Sequence, residues 1–462
     1  MSKFFGDKAF YKKVLLLVVP IIVQNAITNF VSMLDNIMVG RIGNEQMSGV
    51  AIVNQLMFVC YLCMFGAISG AGIFTAQFFG KSDNEGVRYT FRFKLIICSV
   101  IVLITIALMV LFGEELIQLY LQGKQDGSDV EAALRYGKKY MSIMLLGLIP
   151  WMLSQVYAGT LRDCGKTFVP MVAGVVAVFV NLGINYVLIY GKFGFPVLGV
   201  AGAAIGTVVA RYLEAIIVIW WTHYKKKENE YIIGVYSSLR IPIDLTVNII
   251  KKGTPLFINE TLWAAGMAML VQCYSIRGMK VVAALNMCNT VVNVFNVVFF
   301  AMGDAVAIFV GQLLGAGKLK EAKDMARKLI VFGVCMASAV MFIVLALANL
   351  FPLLYNSDDY TRSVAAKFIM ISAIFMPQVA FLHCAYFAIR SGGNTVVTFL
   401  FDSVFVWLIT IPVAYILSRF TGLDVLAIYM CVQFADSIKC IVAFILLKKG
   451  IWLNNIVDKK KE

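Results

Sequence analysis

Long apolar runs recur along the whole sequence, and they limit what it can fold into more than any other feature. Each run has at least about 20 residues, the length that an α-helix needs to cross the hydrocarbon core of a bilayer. Of the 462 residues, 61% are apolar and 14% are charged, whereas a soluble domain carries about 25% charged residues. The sequence therefore predicts an all-α polytopic membrane protein whose first partner is the lipid bilayer.

Twelve such runs are separated by polar or basic segments, so we expect twelve transmembrane helices. The predicted spans are 14–39, 47–79, 93–118, 136–160, 167–190, 198–222, 253–274, 282–314, 329–355, 368–389, 395–417 and 425–447. The second and eighth runs exceed 30 residues, so these two helices must tilt or extend beyond the membrane.

Lysine and arginine are distributed unevenly between the two sides of this topology. If the N-terminus is inside, the inside segments carry 27 of the 40 basic residues and the outside segments carry 11. Such an excess marks cytoplasmic loops, so both termini are expected in the cytoplasm, with the protein in the plasma membrane. The net charge of +14 follows from this topology, and no stretch alternates basic and aromatic residues as a nucleic-acid surface does. We therefore expect no nucleic-acid partner.

Two parts of the chain resemble each other at a fixed offset of 235 positions. Segments 51–80 and 286–315 share 7 identities in 30. Identical residues recur at this offset in four pairs: Pro20 and Pro255, Asn54 and Asn289, Gln77 and Gln312, and Gly80 and Gly315. The pattern predicts two pseudo-symmetric six-helix lobes around a central cavity. Duplicated membrane halves are typical of transporters, in which two bundles rock about a shared site.

The predicted lobes span 1–222 and 253–447. A basic cytoplasmic linker, 223–252, joins them, and a basic cytoplasmic tail, 448–462, follows the second lobe. Each lobe has an even number of spans, so both lobes start on the same side of the membrane and are parallel repeats.

The first span carries polar residues at steps of three and four, which place them on one helical face. They are Asn25, Thr28, Asn29, Ser32 and Asp35. Polar groups in hydrocarbon are costly unless they are paired or face water, so this face predicts an interior cavity. Two interpretations of Asp35 remain open: a carboxylate that binds a proton or a sodium ion, or an interfacial acid paired with Arg41.

Amides and a second acid occur in later spans. Asn181 and Asn185, one turn apart in the fifth span, could surround Asp35 with hydrogen bonds, ligate an ion through their oxygens, or only hold helices together. Glu260 follows Asn259 in the seventh span and has no basic residue one turn away. It is either an acid that exchanges protons or a structural acid that is hydrogen-bonded in the core.

An asparagine face follows the eighth span, where Asn286, Asn289, Asn293 and Asn296 are spaced by 3, 4 and 3 residues. Such a face predicts the lining of a wet cavity, and helix packing is the alternative. The candidate substrate cavity adds residues of the first two spans: Asn25, Ser32, Asn54 and Gln55.

The remaining charges inside the spans have structural interpretations. Two pairs are spaced three apart and could neutralise each other along one helix: Arg211 with Glu214, and Asp436 with Lys439. Asp402 is expected to pair with basic loops.

Several segments, taken in order, resemble the multidrug and toxic compound extrusion (MATE) transporters over nearly the whole chain. They read PIIVQNAITNFVSMLDNIMVGRIG, TAQFFGKSDNEG, NLGINYVLIYG, GTPLFINETLW and VGQLLGAGKLKEA. The resemblance implies two six-helix lobes and export of organic, often cationic drugs against an inward proton or sodium gradient. It also implies that Asp35 takes the place of a first-helix aspartate used in cation coupling, with Asn181 as a neighbouring amide.

This sequence departs from the family pattern at two places. Asn185 stands where some members have an aspartate. Glu260 resembles a glutamate of another branch, but the tenth-helix aspartate of that branch has no acidic counterpart between Lys367 and Arg390. The identity of the coupling ion and the more important lobe stay open.

The expected function is thus secondary active antiport of small-molecule drugs for H⁺ or Na⁺ by a monomer without a cofactor. A related flippase of lipid-linked precursors is the alternative, but it would need a cluster of cationic residues in the cavity. No metal is expected beyond a sodium ion at Asp35. An enzyme is not expected, because the chain has only two histidines and no acidic metal motif.

Overall fold

The computed structural model describes residues 4–121, 130–355 and 357–458. The side chain of Ser32, which the sequence assigns to the substrate cavity, lies outside the described part, as do the last four residues of the basic tail.

All regular secondary structure in the described residues is helical. The first seven helices are α1 (Lys8–Gly40), α2 (Asn44–Gly80), α3 (Asn84–Leu121), α4 (Val130–Leu146), α5 (Leu148–Asp163), α6 (Phe168–Tyr190) and α7 (Val200–Tyr224). The next four are α8 (Ile243–Ser275), α9 (Met279–Gly315), α10 (Leu319–Leu347) and α11 (Asp359–Ser391). The last three are α12 (Thr395–Phe399), α13 (Ile411–Phe420) and α14 (Val425–Lys449).

Within the described residues, eleven helical segments are long and apolar enough to cross a membrane, and a bent pair makes a twelfth. They follow the order of the twelve predicted spans. The bent pair is α4 and α5, which meet at 47° where one straight span, 136–160, was expected. The break lies at Gly147, and Pro150 follows in the first turn of α5, where the missing N–H leaves no bond to the preceding turn.

Several helices differ in length from the predicted spans. Helix α8 begins at Ile243 and α11 at Asp359, earlier than their apolar runs. Helix α10 ends at Leu347, and a 3₁₀ turn at Phe351–Leu354 with Pro352 takes the place of its expected last turns. Hydropathy locates the part of a helix that lies in lipid, and polar turns that continue the helix beyond the lipid do not contribute to that signal.

The eleventh span is irregular. Between α12 and α13 the chain forms two π-helical segments, Leu400–Val404 and Val406–Thr410, and the whole of Thr395–Phe420 is one candidate span. π-Helical turns are rare and are frequent at functional sites. This segment carries Asp402, so its backbone geometry sets the direction of that carboxylate.

The chain divides into two units. We call Val23–Thr75 with Asn84–Thr246 the N-terminal unit. We call Met1–Ile22, Ala76–Asp83 and Val247–Glu462 the C-terminal unit. The lobe boundaries expected from the sequence stay a prediction.

In the N-terminal unit, the segment that follows α7 is attached to α3. Arg92 of α3, only 6% exposed, donates to the carbonyls of Val235, Gly234 and Arg240 at 2.8, 2.9 and 3.2 Å. A guanidinium with several donors in a fixed plane suits such a set of acceptors. The predicted linker is therefore ordered against this unit up to Arg240.

In the C-terminal unit, repeat-related residues of α2 and α9 meet. A Cβ atom on Gly80 would overlap the carbonyl of Gln312, and one on Gly315 would overlap the carbonyl of Gln77. The contact is reciprocal, as expected for two copies of one motif, and only glycine allows the backbones to approach so closely. Gln77 also accepts from the Ile456 N–H at 2.9 Å, which holds the chain after α14 against this crossing.

Candidate functional site

The Asp35 carboxylate of α1 lies against α6 in the N-terminal unit. Asn185 Nδ2 donates to Asp35 Oδ1 at 2.9 Å. The Asn181 amide is oriented with its nitrogen toward Asp35, and this nitrogen donates to Asp35 Oδ2 at 2.9 Å. The Asn181 amide oxygen then accepts from the Thr207 N–H at 3.1 Å and from the Thr207 hydroxyl at 3.3 Å. Amide orientation is assigned from such networks, and this orientation satisfies both ends of the side chain.

The two asparagines are buried, with exposed fractions of 6% for Asn181 and 1% for Asn185, while Asp35 is half-buried. Among the described residues, no lysine or arginine forms an ion pair with Asp35, Arg41 included. The carboxylate is thus held by neutral N–H donors. Such donors stabilise the ionised form but leave its charge uncompensated, so an external cation could still bind it.

Gly206 of α7 makes room for this arrangement. A Cβ atom at this position would overlap Asn185 Oδ1, and that oxygen is buried without a hydrogen-bond partner. Asn185 therefore fits between α6 and α7 with its nitrogen toward Asp35. Sequence reasoning missed Gly206, because helical glycines close to a packed asparagine carry no local signal.

The second predicted acid, Glu260 of α8, lies half-buried in the C-terminal unit. The sequence offered it no partner, but the structure brings Arg390 of α11 close enough to attract its carboxylate, while Asp402 repels it. Its neighbour Asn259, 1% exposed, is directed at Asp402 and Ser403. Asn259 Nδ2 donates to Asp402 Oδ2 at 3.0 Å, and its Oδ1 accepts from the Ser403 hydroxyl at 2.7 Å.

Asp402 differs from its expected role. It forms no ion pair with a basic loop in the described residues. Lys439 of α14 lies 3.6 Å from Asp402 Oδ1 and 3.5 Å from Asp436 Oδ1. The pairing of Asp436 with Lys439 along one helix agrees with their spacing. The contact with Asp402 was not predictable from spacing, although a lysine inside an apolar span always indicates that a partner is needed.

Arg211 also departs from expectation. The structure contains no ion pair at 4 Å or less between Arg211 and Glu214, both of which are described. Instead, Arg211 Nη2 donates to the Tyr61 hydroxyl at 2.7 Å, and the guanidinium lies 5.6 and 5.7 Å from the ring centroids of Tyr61 and Trp151. These are cation–π distances, so neighbouring helices fix this arginine.

The asparagine face of α9 is present in the structure. Asn286, Asn289 and Asn293 are exposed on one face. Exposed amides in the middle of a span are costly against lipid, so this face is expected to meet water.

In the N-terminal unit, Asn54 and Gln55 of α2 are exposed and Asn25 of α1 is half-buried. Asn54 Oδ1 accepts from the Tyr140 hydroxyl at 3.3 Å. Their assignment to a substrate cavity stays a prediction.

Comparisons with known proteins agree with the fold. The family model described as MatE matches residues 20–187 and 255–416. A probable multidrug resistance protein NorM of Thermotoga maritima is 23% identical over 91% of this chain and 88% of its own. A protein of the same description from Bacillus cereus is 25% identical over 89% of each chain.

Two solved structures have the same fold. One is an outward-facing multidrug resistance MATE family transporter of the MOP superfamily, with a TM-score of 0.82, 17% identity and 98% of each chain covered. The other is a mutant of the Vibrio cholerae MATE transporter VcmN, with a TM-score of 0.86, 15% identity and coverage of 97% of this chain and 98% of that one.

Proposed function

Because the chain belongs to the MatE family of multidrug efflux transporters, we propose that it exports small organic drugs in exchange for a cation by alternating access. It acts as a monomer in the cell membrane, with both termini in the cytoplasm and without a cofactor. The observation that supports cation coupling is the Asp35 carboxylate, which is held by two amides and by no ion-pairing lysine or arginine among the described residues.

The orientation of the two amides opposes a sodium ion more than a proton as the coupling cation. Hard cations take oxygen ligands, but Asn181 and Asn185 both direct N–H groups at the carboxylate. A sodium ion at this place would need both amides to turn. A proton needs only one carboxylate oxygen and does not require either amide to turn.

Neutralising Asp35 weakens the hydrogen bonds that hold α1 against α6, because charge-assisted bonds are roughly twice as strong as neutral ones. A ligand shifts a conformational equilibrium only through its different affinity for the two states. The cation must therefore bind better to the form that has released the drug. Drug and cation then alternate, which makes the exchange obligatory.

Two sets of amides would bind polar groups of the substrate: Asn25, Asn54 and Gln55 in the N-terminal unit, and Asn286, Asn289 and Asn293 in the C-terminal unit. Glu260 would supply a second polar region of the cavity and a negative charge for a cationic drug. Amides with apolar surroundings suit many amphiphilic compounds, because such surfaces adapt and discriminate little.

Transport into proteoliposomes tests this function, with ethidium as a fluorescent cationic probe and with proton or sodium gradients imposed separately. We expect the proton gradient to drive uptake and a sodium gradient to have no effect in wild type. Asp35→Asn should remove the response, whereas Glu114→Gln should keep it. Glu114 is a matched control, because this acid of the same unit pairs with Lys138 and is 45% exposed. Uptake by Asp35→Asn that still follows the gradient refutes the role of Asp35.

A further inference from the structure

Lys439 occupies an unusual position for a lysine in a membrane helix. It lies one turn after Asp436 in α14, and its side chain is only 7% exposed. Among the described ion pairs, only Lys94 with Asp163 also contains so deeply buried a lysine. A charged side chain in a span is expensive, and those that occur generally have partners and functions.

The ammonium lies between two carboxylates that come from different spans. It is 3.6 Å from Asp402 Oδ1 and 3.5 Å from Asp436 Oδ1. The two carboxylates are 25% and 30% exposed, more than the lysine itself. The ammonium is thus the most deeply buried of the three charges.

Hydrogen bonds complete the set around both acids. Asp402 Oδ2 accepts from Asn259 Nδ2 at 3.0 Å, and Asp436 Oδ1 accepts from the Thr410 hydroxyl at 3.3 Å. Asn259 is fixed in turn by Ser403 on the π-helical segment. A buried ion pair is tolerable when further bonds satisfy its oxygens, and that condition is met here.

Glu260 is a further acid that could disturb this cluster, because Asp402 repels it while Arg390 attracts it. Glu260 has no ion pair at 4 Å or less in the described residues, so the Lys439 cluster does not compensate its charge.

We infer that the C-terminal unit carries its own fixed cation: Lys439 stays charged throughout transport, and the Asp402–Asp436 pair exchanges no coupling ion. The ammonium takes the place between two carboxylates that a transported cation would otherwise occupy. A coupling cation would have to displace a covalently attached one. Lys439 is thus a positioning residue that keeps this pair of carboxylates out of the coupling, so that the pair adds nothing to the number of cations exchanged for each drug molecule; this inference rests on the cation-coupled function proposed above.

The test counts cations per drug. Proteoliposomes with wild type accumulate ethidium to a limit that depends on the imposed cation gradient, and the slope of that dependence gives the number of cations exchanged. The variant Asp402→Asn/Asp436→Asn/Lys439→Met removes all three charges and keeps similar volumes. We expect the slope to be unchanged and the rate to stay within about threefold, since wholesale replacement of a buried ion cluster is often tolerated. A slope that falls by one cation overturns the inference.

A second variant covers the case in which the triple replacement fails to fold. Lys439→Arg keeps a cation that does not release its proton in proteins. We expect the wild-type slope, because a permanent charge is all that is required. A folded Lys439→Arg protein whose uptake no longer follows the gradient means that Lys439 itself loses a proton in each cycle, which overturns the inference. If wild type shows no slope with either ion, the proposed function fails instead.

Discussion

Asp35 in the N-terminal unit and Asp402 in the C-terminal unit both lie in membrane-spanning segments, and both accept a hydrogen bond from an asparagine at 2.9 or 3.0 Å. Their counter-charges differ. Asp35 has amide donors and no ion-pair partner among the described residues, whereas Asp402 has the Lys439 ammonium at 3.6 Å.

The difference separates two uses of a carboxylate in a membrane. Neutral donors stabilise a charge without cancelling it, so the carboxylate can still gain a cation and lose it again. A lysine supplies a fixed counter-charge that cannot leave, and here it links two spans. The two acids are not equivalent positions of the repeat, since the offset of 235 pairs Asp35 with Leu270, and the roles proposed for them differ accordingly.

Removing the exchangeable charge should have the largest effect. Asp35→Asn leaves a neutral amide that cannot bind a cation, so gradient-driven ethidium uptake is expected to fall by about 100-fold, the effect of about 2.7 kcal/mol. The protein should still fold, because Asn keeps the shape and one acceptor oxygen, but thermal unfolding in detergent should show a modest loss of stability, because the new NH2 group faces one of the two amide donors.

The comparison fails if Asp402→Asn causes the larger loss of coupling and Asp35→Asn the smaller. Both variants remove one carboxylate of similar size, so they control for each other. Initial uptake rates at equal protein amounts in the vesicles decide between the two sites.

Removing the fixed cation should mainly reduce stability. Lys439→Met leaves two carboxylates close together without their ammonium, and breaking a buried ion pair costs about 3–5 kcal/mol. Since Asp402 and Asp436 keep about a quarter of their surfaces exposed, we expect the free energy of unfolding to fall by about 3 kcal/mol, at the lower end of that range. The loss is measured as a lower apparent melting temperature. The triple variant, which has none of the three charges, should recover most of the lost stability. If the triple variant is as unstable as Lys439→Met, packing and not charge is responsible for the loss.

The sequence predicted the helices well and their mutual contacts poorly, for a physical reason. The periodicity of Asn181 and Asn185 places both amides on one face, and only the arrangement of α1 against α6 decides that Asp35 meets that face. The pairs Asp402 with Lys439 and Arg211 with Tyr61 join different spans, and no pattern within one helix carries the register between helices. At the break, α7 packs closely on Gly147: a Cβ atom there would lie 3.0 Å from Val208 Cγ2 and 3.3 Å from Arg211 Cδ, and no pattern within α4 or α5 carries this contact.

A smaller change tests how the amides tune Asp35. Gly206→Ala places a methyl group where Asn185 Oδ1 lies, so the amide must turn away and its bond to Asp35 is lost. That bond favours the cation-free carboxylate, and hydrogen bonds to charged groups contribute about 1.5–3 kcal/mol. The apparent affinity for the coupling cation should therefore rise about tenfold. The measurement is the cation gradient needed for half-maximal uptake, which should become smaller.

Gly183→Ala is the matched control, because it adds the same methyl group to α6 at a position with nothing within 4 Å. Both substitutions replace glycine by a better helix former, so neither should destabilise the fold strongly. If the two variants transport alike, the Asn185 bond does not tune the site.

The smallest effect is expected at an exposed acid that also has a lysine partner. Asp358, before α11, accepts from Lys280 Nζ at 2.9 Å and from the Thr361 hydroxyl at 2.6 Å. The Thr361 hydrogen bond is the larger cause and the Lys280 bond the second, and together they lower the pKa of Asp358 from 3.8 to about 2. A carboxyl whose pKa is lower in the folded state contributes stability above its unfolded pKa and loses it as the pH falls toward its folded pKa. The melting-temperature difference between wild type and Asp358→Asn should thus be small and constant from pH 5 to pH 7, and should shrink below about pH 4. A melting-temperature difference that changes between pH 5 and pH 7 would contradict this prediction. It would mean that lysine-paired acids respond to pH in the range where transport operates. The contrast between Asp35 and these acids could then not be explained by the fixed charge of the lysine.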